Sequence, residues 1–474
     1  MPDRWAVVLD VGKTLAKLTL WDQAGALVER RTRPNESARA ADYIALDTDG
    51  IEAWLAQTLS DFARMGPVGA IVPVGHGAAA AIIRDGKLVC PPVDYESSLG
   101  DRAVYERGRD PFAATGSPSL PNGLNLGAQL DWLESRDPML LSDGATILPW
   151  PQYWAWRLSG VPAAEVSSLG CHTDLWLPGK AQPSALAYAR GWADRLAPLR
   201  RAGEVLGPIT SGWVRRTGLG ADVQIYCGLH DSNAALLAAR GFPEIANREA
   251  TILSTGTWFV AMRSPDGMAA LDFAALPEDR DCLVNVDVEG RPIPSARFMG
   301  GREIEILART ELGRSEGGLS SGPYREAKVA IEQGAMVLPT LAYGVGPFPR
   351  SRGKYEGPDG KGIIDAAASL YLALVADVSL ELIGTRERIL VEGRFASDAI
   401  FTGALARMRR NEAIYVSHAH NALPYGALRL IDSSLPQTAK LSTVAPLPWD
   451  LDEYKGRWRA ASQKGSSRAA RVRL

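Results

Sequence analysis

The chain has 474 residues, more than one compact core usually organises, so its length favours two domains. With 46% apolar and 22% charged residues it can fill two cores, which excludes disorder over most of its length. The formal net charge of −2, with both signs mixed along the chain, excludes a sequence-wide basic surface for nucleic acid.

The four cysteines, at 90, 171, 227 and 282, are far apart and form no Cys-x-x-Cys pair. This spacing favours a reducing compartment over a disulfide framework or a zinc site. The start has no basic leader with an apolar core, and we identify no run of about 18 apolar residues, so we expect neither signal peptide nor membrane span. We expect a soluble cytoplasmic protein with a mobile tail over residues 464–474.

The first predicted element is a β-hairpin. Residues 5–10 form a β-branched run, and residues 15–21 alternate as a half-buried strand does. The next predicted elements are a helix over 51–65, a strand over 68–74, and a strand over 79–83 that ends in a hairpin turn at Asp85 and Gly86.

The middle of the chain predicts two helices and then a strand followed by a helix. The helices cover residues 124–133 and 147–159, the strand 223–227, and the last helix 231–240. The aromatic residues crowded into 147–159 are typical of a core, although sugars also stack on such faces.

A second hairpin is predicted half a chain later, with strands over 250–254 and 258–262. Residues 253–257 align with residues 9–13 at an offset of 244, and this indicates two copies of one fold. We therefore predict domains of residues 1–242 and 243–474. The remaining predicted elements are helices over 364–386 and 396–410, strands over 389–392 and 413–417, and a helix that begins at Leu423.

The two predicted turns suggest phosphate binding. Gly12, Lys13 and Thr14 resemble part of a P-loop, but that motif needs a glycine where Val7 stands and a helix where a strand is predicted. Two β-turns can instead contact phosphates through backbone N–H groups and hydroxyls, with Asp10 holding Mg²⁺ through water. The candidate phosphate-binding residues are Gly12, Lys13, Thr14, Lys17, Thr255, Gly256 and Thr257. Each turn alone is also compatible with a plain hairpin.

His230 and Asp231 lie where a predicted strand gives way to a helix, and a helix N-terminus favours negative charge. Asp231 suits a general base, because phosphoryl transfer asks mainly for positioning and late proton removal. The alternative is that Asp231 or Ser232 is the N-cap of the helix. A His-Asp pair also begins a metal phosphohydrolase motif, which needs further His and Asp ligands.

Together these motifs resemble the FGGY family of carbohydrate kinases, and within it the kinases of 6-deoxyketohexoses such as L-rhamnulose and L-fuculose. The resemblance runs to about Leu430. The matching segments are the phosphate motifs at 9–17 and 253–258, the sugar-side motif at 74–77, a helix motif at 148–160, the base motif at 230–232, the adenosine motif at 391–394, and a turn at 421–426.

The resemblance implies an α/β fold of two ribonuclease-H-like (actin-like ATPase) domains with a cleft between them. It implies transfer of the γ-phosphoryl group of ATP to a primary hydroxyl of a ketose, with Mg²⁺, Asp231 as base and Asp10 as metal holder. The implied sugar contacts are His76, Gly77, His230 and Ser232, and the implied ATP contacts include Thr257 and Gly393. The expected partners are the ketose and ATP, without nucleic acid or membrane, and a homodimer is compatible with this picture.

Three motifs depart from the family pattern and leave the particular sugar open. Lys13 and Leu15 replace a small residue and a serine, the segment 392–394 has one glycine where two or three are common, and Ala79 replaces an acidic residue. A non-catalytic actin-like sensor of sugar or nucleotide is the main alternative hypothesis. An actin-like ATPase of the chaperone type would need a peptide-binding domain, for which the residues after Leu430 are too few.

Overall fold

The computed structural model describes residues 4–40, 42–265, 271–309, 324–417, 422–435, 437 and 439–470. Two compact units emerge from the internal contacts of the chain. Unit one comprises Met1–Gly241, Val284–Pro292 and Asn421–Gln437, and unit two comprises Phe242–Leu283, Ile293–His420 and Thr438–Leu474. The chain first passes from unit one to unit two next to the predicted boundary, and it later returns to unit one twice. The continuous domains 1–242 and 243–474 therefore stay a prediction.

The elements are numbered in chain order. The strands are β1 Trp5–Val11, β2 Leu15–Trp21, β3 Leu27–Pro34, β4 Ser37–Arg39, β5 Ile44–Leu46, β6 Val68–Gly75, β7 Ala80–Arg84, β8 Lys87–Leu88, β9 Thr146–Pro149, β10 Trp176–Leu177, β11 Gln182–Pro183, β12 Val205–Pro208, β13 Gln224–Tyr226, β14 Leu229–His230, β15 Ala250–Thr255, β16 Phe259–Ser264, β17 Cys282–Val286, β18 Pro292–Phe298, β19 Met336–Leu338, β20 Lys354–Glu356, β21 Arg388–Gly393, β22 Ala413–Val416 and β23 Ser442–Thr443. The α-helices are α1 Thr48–Met65, α2 Ala103–Gly108, α3 Phe112–Thr115, α4 Leu126–Arg136, α5 Trp150–Ser159, α6 Val166–Leu169, α7 Ala185–Ala189, α8 Ser211–Thr217, α9 Asp231–Ala239, α10 Gly300–Arg309, α11 Tyr324–Gln333, α12 Lys361–Leu382, α13 Ala399–Met408, α14 Ala422–Ile431 and α15 Asp452–Ala470. Short 3₁₀ helices cover Ala193–Arg195, Phe273–Ala275, Glu278–Arg280 and Arg394–Ser397.

The main sheet of unit one has the strand order β12-β13-β6-β1-β2-β3, and β14 also pairs with β6. The apolar run of β1 is buried from Ala6 onward, and β1 forms the predicted antiparallel hairpin with β2. The strands β1, β13 and β14 all pair in parallel with β6. The carboxyl ends of these four strands therefore lie at one edge of the sheet, the edge where open α/β sheets bind ligands.

The main sheet of unit two repeats this arrangement. Its strand order is β17-β18-β16-β15-β21-β22-β23. The strand β15 pairs antiparallel with β16 and parallel with β21, as β1 does with β2 and β6. The strand ends correspond as well, because Val11 is paired with Gly75 in unit one and Thr255 with Gly393 in unit two. The predicted duplication of one α/β fold is confirmed.

The helix α12 forms the centre of the core of unit two. Its residues from Ile364 to Leu380 are buried among the sheet and the neighbouring helices α11 and α13. By length and mean hydropathy this helix could cross a membrane, although the sequence alone did not lead us to expect such a segment. In the structure, 94% of its most apolar 18-residue stretch is buried in the protein. Burial in a core on all sides accounts for an apolar composition of this kind.

The predicted elements differ from the observed ones mainly at their ends. The predicted helix 147–159 is wrong over 147–149, which belong to β9 and pair with β7. The helix α5 begins at Trp150, with Pro151 in its first turn, where a missing backbone N–H leaves no hydrogen bond unmade. Its aromatic side chains Trp150, Tyr153, Trp154 and Trp156 are buried in the core of unit one.

Two predictions concern the last part of the chain. The predicted turn at 421–426 is wrong over its described residues, because Gly426 lies within α14, while Asn421 lies outside the described residues. The predicted mobile tail, residues 464–474, overlaps α15, whose backbone is helical to Ala470. Residues 471–474 lie outside the described part of the chain.

Candidate active site

Three strand ends bring the predicted site residues of unit one together. In the registers β1–β6 and β14–β6, Asp10 is paired with Val74 and His230 with Gly75. Asp231 follows as the first residue of α9, and His76 follows Gly75 at the end of β6. The sheet topology therefore places Asp10, His76 and Asp231 at the same edge.

A glycine bend between β13 and β14 delivers Asp231 to this edge. Gly228 has a φ of +78°, and a Cβ atom there would lie 2.0 Å from the carbonyl oxygen of Pro73. The amide nitrogen of Gln152 donates to the carbonyls of Cys227 at 3.3 Å and Gly228 at 3.2 Å. Only glycine combines this backbone conformation with so close a backbone contact.

Asp231 is not the helix cap. The N-cap position of α9 belongs to His230, whose side chain makes no capping hydrogen bond, so the N-cap alternative for Asp231 or Ser232 is wrong. The Oδ1 atom of Asp231 accepts from the backbone N–H of Ser232 at 2.6 Å and from its hydroxyl at 3.3 Å. The Asp231 side chain is 29% exposed, which leaves the carboxylate oriented and accessible.

The buried side chain of His230 lies between the carboxylate of Asp231 and the thiol of Cys171. Its Nε2 atom lies 3.2 Å from Asp231 Oδ1 and 3.3 Å from Cys171 Sγ. Burial lowers the pKa of His230, and the negative charge of Asp231 opposes this effect. Its Nδ1 atom is buried and has no hydrogen-bond partner among the described residues. The neutral imidazole thus holds Asp231 without a competing charge.

Asp10 is buried, and Lys17 Nζ lies 3.1 Å from its Oδ2 atom. Burial raises the pKa of Asp10 to about 6; Lys17 opposes this rise, and the negative charge of Asp231 adds to it. Two mutually repelling carboxylates attract a cation. No group of three His, Cys, Asp or Glu side chains suited to a metal occurs among the described residues. The pair fits Mg²⁺, which takes one or two carboxylates and completes its shell with water and phosphate oxygens.

The first phosphate turn is held by its neighbours. Gly12 N donates to Leu15 O at 3.1 Å, and the side-chain amide of Asn35 donates to Gly12 O at 2.7 Å. Thr14 is exposed. The Lys13 ammonium forms an ion pair with Asp94, a carboxylate that the sequence motifs gave no reason to select. Of the two candidate lysines, Lys17 is the one that contacts Asp10.

On the sugar side, Gly77 lies against the residues that hold Asp231. A Cβ atom on Gly77 would be 2.6 Å from Cys171 Sγ and 3.1 Å from His230 Nε2. The Nδ1 atom of His76 lies 2.6 Å from the carbonyl oxygen of Gly77. Burial lowers the pKa of His76. Unit one thus brings together all its sugar-side candidates, and adds Cys171, which as a lone cysteine carried no signal in the sequence.

The second phosphate turn lies in unit two. The hydroxyl of Thr255 donates to Glu392 O at 2.6 Å and accepts from Phe395 N at 3.0 Å, so this side chain joins the ends of β15 and β21. Gly256 N donates to Trp258 O at 3.0 Å, and Thr257 is exposed. The backbone N–H groups of this turn and the Thr257 hydroxyl remain the predicted phosphate contacts.

Gly393 is exposed beside this turn, with a φ of +91°, and a Cβ atom there would lie 2.4 Å from Thr255 O. The start of α10 also contacts the turn, since a Cβ atom on Gly301 would lie 2.2 Å from Gly256 O. No sequence motif predicts a role for Gly301. Gly301 lies in the first turn of α10, a helix that we did not predict, and its contact with Gly256 depends on the tertiary fold.

A further buried carboxyl lies behind His230. Glu165 has no exposed surface, and its Oε2 atom accepts from Ser167 Oγ at 2.5 Å and from Ser168 N at 3.1 Å. Ser167 Oγ in turn accepts from His230 N at 3.2 Å. Burial raises the pKa of Glu165 to about 7, against the opposing effect of these hydrogen bonds.

This carboxyl should make stability depend on pH. Its pKa is about 7 in the folded chain against an ordinary 4.5, so the stability gained from the protonated acid is complete below pH 4.5 and is lost as the pH rises through 7. Between pH 5 and 8 the free energy of unfolding of the wild type should fall by roughly 2 to 3 kcal/mol relative to Glu165→Gln. Urea unfolding of both proteins measures this difference, and parallel pH profiles would contradict it.

Known proteins resemble the chain at the level of sequence and fold. Residues 247–440 match the family described as carbohydrate kinase FGGY, C-terminal domain. An L-fuculokinase from Salmonella typhi is 26% identical over 271 residues, which cover 54% of this chain and 56% of that protein. A rhamnulokinase from Yersinia pestis (strain Pestoides F) is 28% identical over 254 residues, 52% of this chain and 45% of that protein. The matched part thus spans about half the length of these curated relatives.

A solved structure matches nearly the whole chain. The crystal structure of a carbohydrate kinase from Novosphingobium aromaticivorans is 49% identical, with a TM-score of 0.90, and the match covers 98% of this chain and 99% of that one. The duplicated α/β topology described above accords with this likeness. The chain belongs to the FGGY family of carbohydrate kinases.

Proposed function

We propose that the protein is an ATP-dependent sugar kinase that transfers the γ-phosphoryl group to a primary hydroxyl of a ketose, with Asp231 as the general base. The observation that carries the proposal is the position of Asp231, an accessible carboxylate at the strand-end edge beside Asp10, oriented by His230 and Ser232. Phosphoryl transfer needs this kind of positioning more than it needs a strongly shifted pKa.

In the proposed reaction the sugar hydroxyl donates its proton to the free oxygen of Asp231, while Ser232 N–H and His230 hold the other oxygen. His76 and Gly77 orient the sugar beside Asp231. Lys17 and Asp10 lie next to that position and balance the charges of phosphate and metal. Mg²⁺, when bound, neutralises charge on the phosphate oxygens. The phosphate contacts that we propose in unit two are the backbone of the 255–257 turn, Thr257 and Gly393.

We propose a 6-deoxyketohexose as the sugar, with a ketopentose as the second choice. Support comes from the partial matches to proteins named L-fuculokinase and rhamnulokinase. Support also comes from the surroundings of Gly77, whose nearest side chains are the thiol of Cys171 and the imidazole of His230 and not a carboxylate. We place the protein in the cytoplasm, with sugar and ATP as its partners and a homodimer as its assembly.

A coupled ADP-release screen tests the proposal. Purified protein with ATP and Mg²⁺ is offered ketopentoses, 6-deoxyketohexoses and polyols, and reactions without sugar and with excess EDTA serve as blanks. We expect ADP release above the sugar-free blank with at least one ketose, and loss of that release with EDTA. ADP release that no sugar increases would contradict the proposal. Sugar or nucleotide binding without turnover would favour the sensor.

A further inference from the structure

The segment formed by α6 and the two residues after it contacts His230 at two atoms. Ser167 Oγ accepts a hydrogen bond from His230 N at 3.2 Å, and Cys171 Sγ lies 3.3 Å from His230 Nε2. The first contact fixes the backbone of His230, and the second fixes its ring. Asp231 is the next residue, so its Cα position depends on how the backbone of His230 is held.

The Ser167 hydroxyl is itself oriented by Glu165. A hydroxyl has one proton to donate, and Ser167 donates it to Glu165 Oε2 at 2.5 Å. With that proton committed, a lone pair of Ser167 Oγ is directed at the His230 N–H. Ser168 N, at 3.1 Å from the same Oε2 atom, fixes the carboxyl in turn. Glu165 and Ser167 have no exposed surface, so bulk water cannot replace either partner.

We propose that Glu165 and Ser167 are positioning residues for Asp231, acting through the main chain of His230. This inference rests on the proposed function, because it assigns a purpose to the position of the base. A simpler role for Glu165 is to cap the four-residue helix α6 through Ser168 N. Capping alone would leave the Ser167 hydroxyl dispensable, and the two roles therefore differ in what a change at Ser167 does.

Ser167→Ala and Ser168→Ala form a matched pair to test this. Both serines lie in α6 and are buried, but only Ser167 contacts His230 in the structure. With the ketose chosen by the ADP-release screen, Ser167→Ala should lower kcat by about 10- to 100-fold, the cost of a displaced catalytic group. KM for ATP should stay within about twofold, and Ser168→Ala should keep the wild-type kcat.

A second pair changes Glu165. Glu165→Gln keeps an oxygen that can accept from Ser167 Oγ and Ser168 N, so kcat should stay within about threefold of the wild type. Glu165→Leu has a similar volume and no acceptor, and its kcat should fall as far as that of Ser167→Ala. Melting temperatures of all four variants show whether each is folded.

Amide hydrogen exchange gives a readout that does not depend on turnover. The His230 N–H should exchange faster in Ser167→Ala and Glu165→Leu than in Ser168→Ala and Glu165→Gln. Equal kcat and equal exchange in Ser167→Ala and Ser168→Ala would overturn the positioning role. Faster exchange with unchanged kcat would overturn it as well. Wild-type activity in Asp231→Asn would instead refute the proposed base, whatever the exchange at His230 shows.

Discussion

Replacing Asp231 by asparagine should lower the kcat of sugar-dependent ADP release by about 10²- to 10⁴-fold, the usual contribution of a general base. The side chains are nearly the same size, and an amide oxygen can still accept from Ser232 N, so the fold should be preserved. KM for the sugar should change little, because the lost interaction acts in the transition state. Steady-state kinetics and a melting curve on the same preparation measure both effects.

The control for this change is Asp222→Asn. Asp222 forms an exposed ion pair with Arg4, and a surface pair of this kind contributes little to stability. Its variant should therefore keep wild-type kcat and KM while carrying the same chemical change. An Asp231→Asn variant that is as active as Asp222→Asn would show that another group removes the proton.

Replacing Gly228 by alanine should be the most damaging small substitution at the site. The backbone there has a φ of +78°, which costs an L-residue roughly 1 to 2 kcal/mol. The new Cβ atom would also lie 2.0 Å from the carbonyl oxygen of Pro73, a rigid backbone atom of β6. A forced shift of a packed backbone adds about 1 to 3 kcal/mol. The melting temperature should fall by roughly 4 to 10 °C.

Gly228→Ala should lose more kcat than its loss of stability explains. Relief of the clash moves β14 away from β6 and displaces Asp231 with it. Gly218→Ala separates the two causes. Gly218 has a φ of +75°, and a Cβ atom there would meet nothing within 4 Å. It should lose roughly 2 to 4 °C and keep its activity. Equal losses of activity in the two alanine variants would mean that backbone strain, and not the contact with Pro73, lowers the activity.

Much of the fold was predictable because its signals are local. The β-branched runs of β1 and β15, the alternation of β2 and the turn residues at 12–14 and 255–257 each specify a hairpin without reference to the rest of the chain. The offset between the hairpins then predicted the duplication, and the registers of β1 with β6 and β15 with β21 confirm it. The strand β9 was predicted as part of the following helix because a strand of four residues beside a helix has no period long enough to detect.

The site was predictable only where a motif carried it. Asp10 lies near the end of β1, Gly77 and Asp231 follow β6 and β14, and the parallel pairing of these strands places all three at one edge of the sheet. Ser167 in α6 and Cys171 just after it contact His230 from 63 and 59 residues earlier in the chain, and Glu165 acts on His230 through Ser167. Pairings of that kind are tertiary, and no periodicity or spacing in the sequence encodes them. The same holds for the ion pairs of the two lysines, Lys13 with Asp94 and Lys17 with Asp10.

The identity of the product tests the central claim most directly. The wild type and Asp231→Asn are incubated with ATP, Mg²⁺ and the ketose selected by the screen, and the phosphorus-containing products are followed by ³¹P NMR. A sugar kinase with Asp231 as base predicts a phosphate monoester on a primary carbon of the ketose, formed one for one with ADP by the wild type and at least about 10²-fold more slowly by the variant. Inorganic phosphate as the only product, or an ester formed equally fast by both proteins, would contradict it.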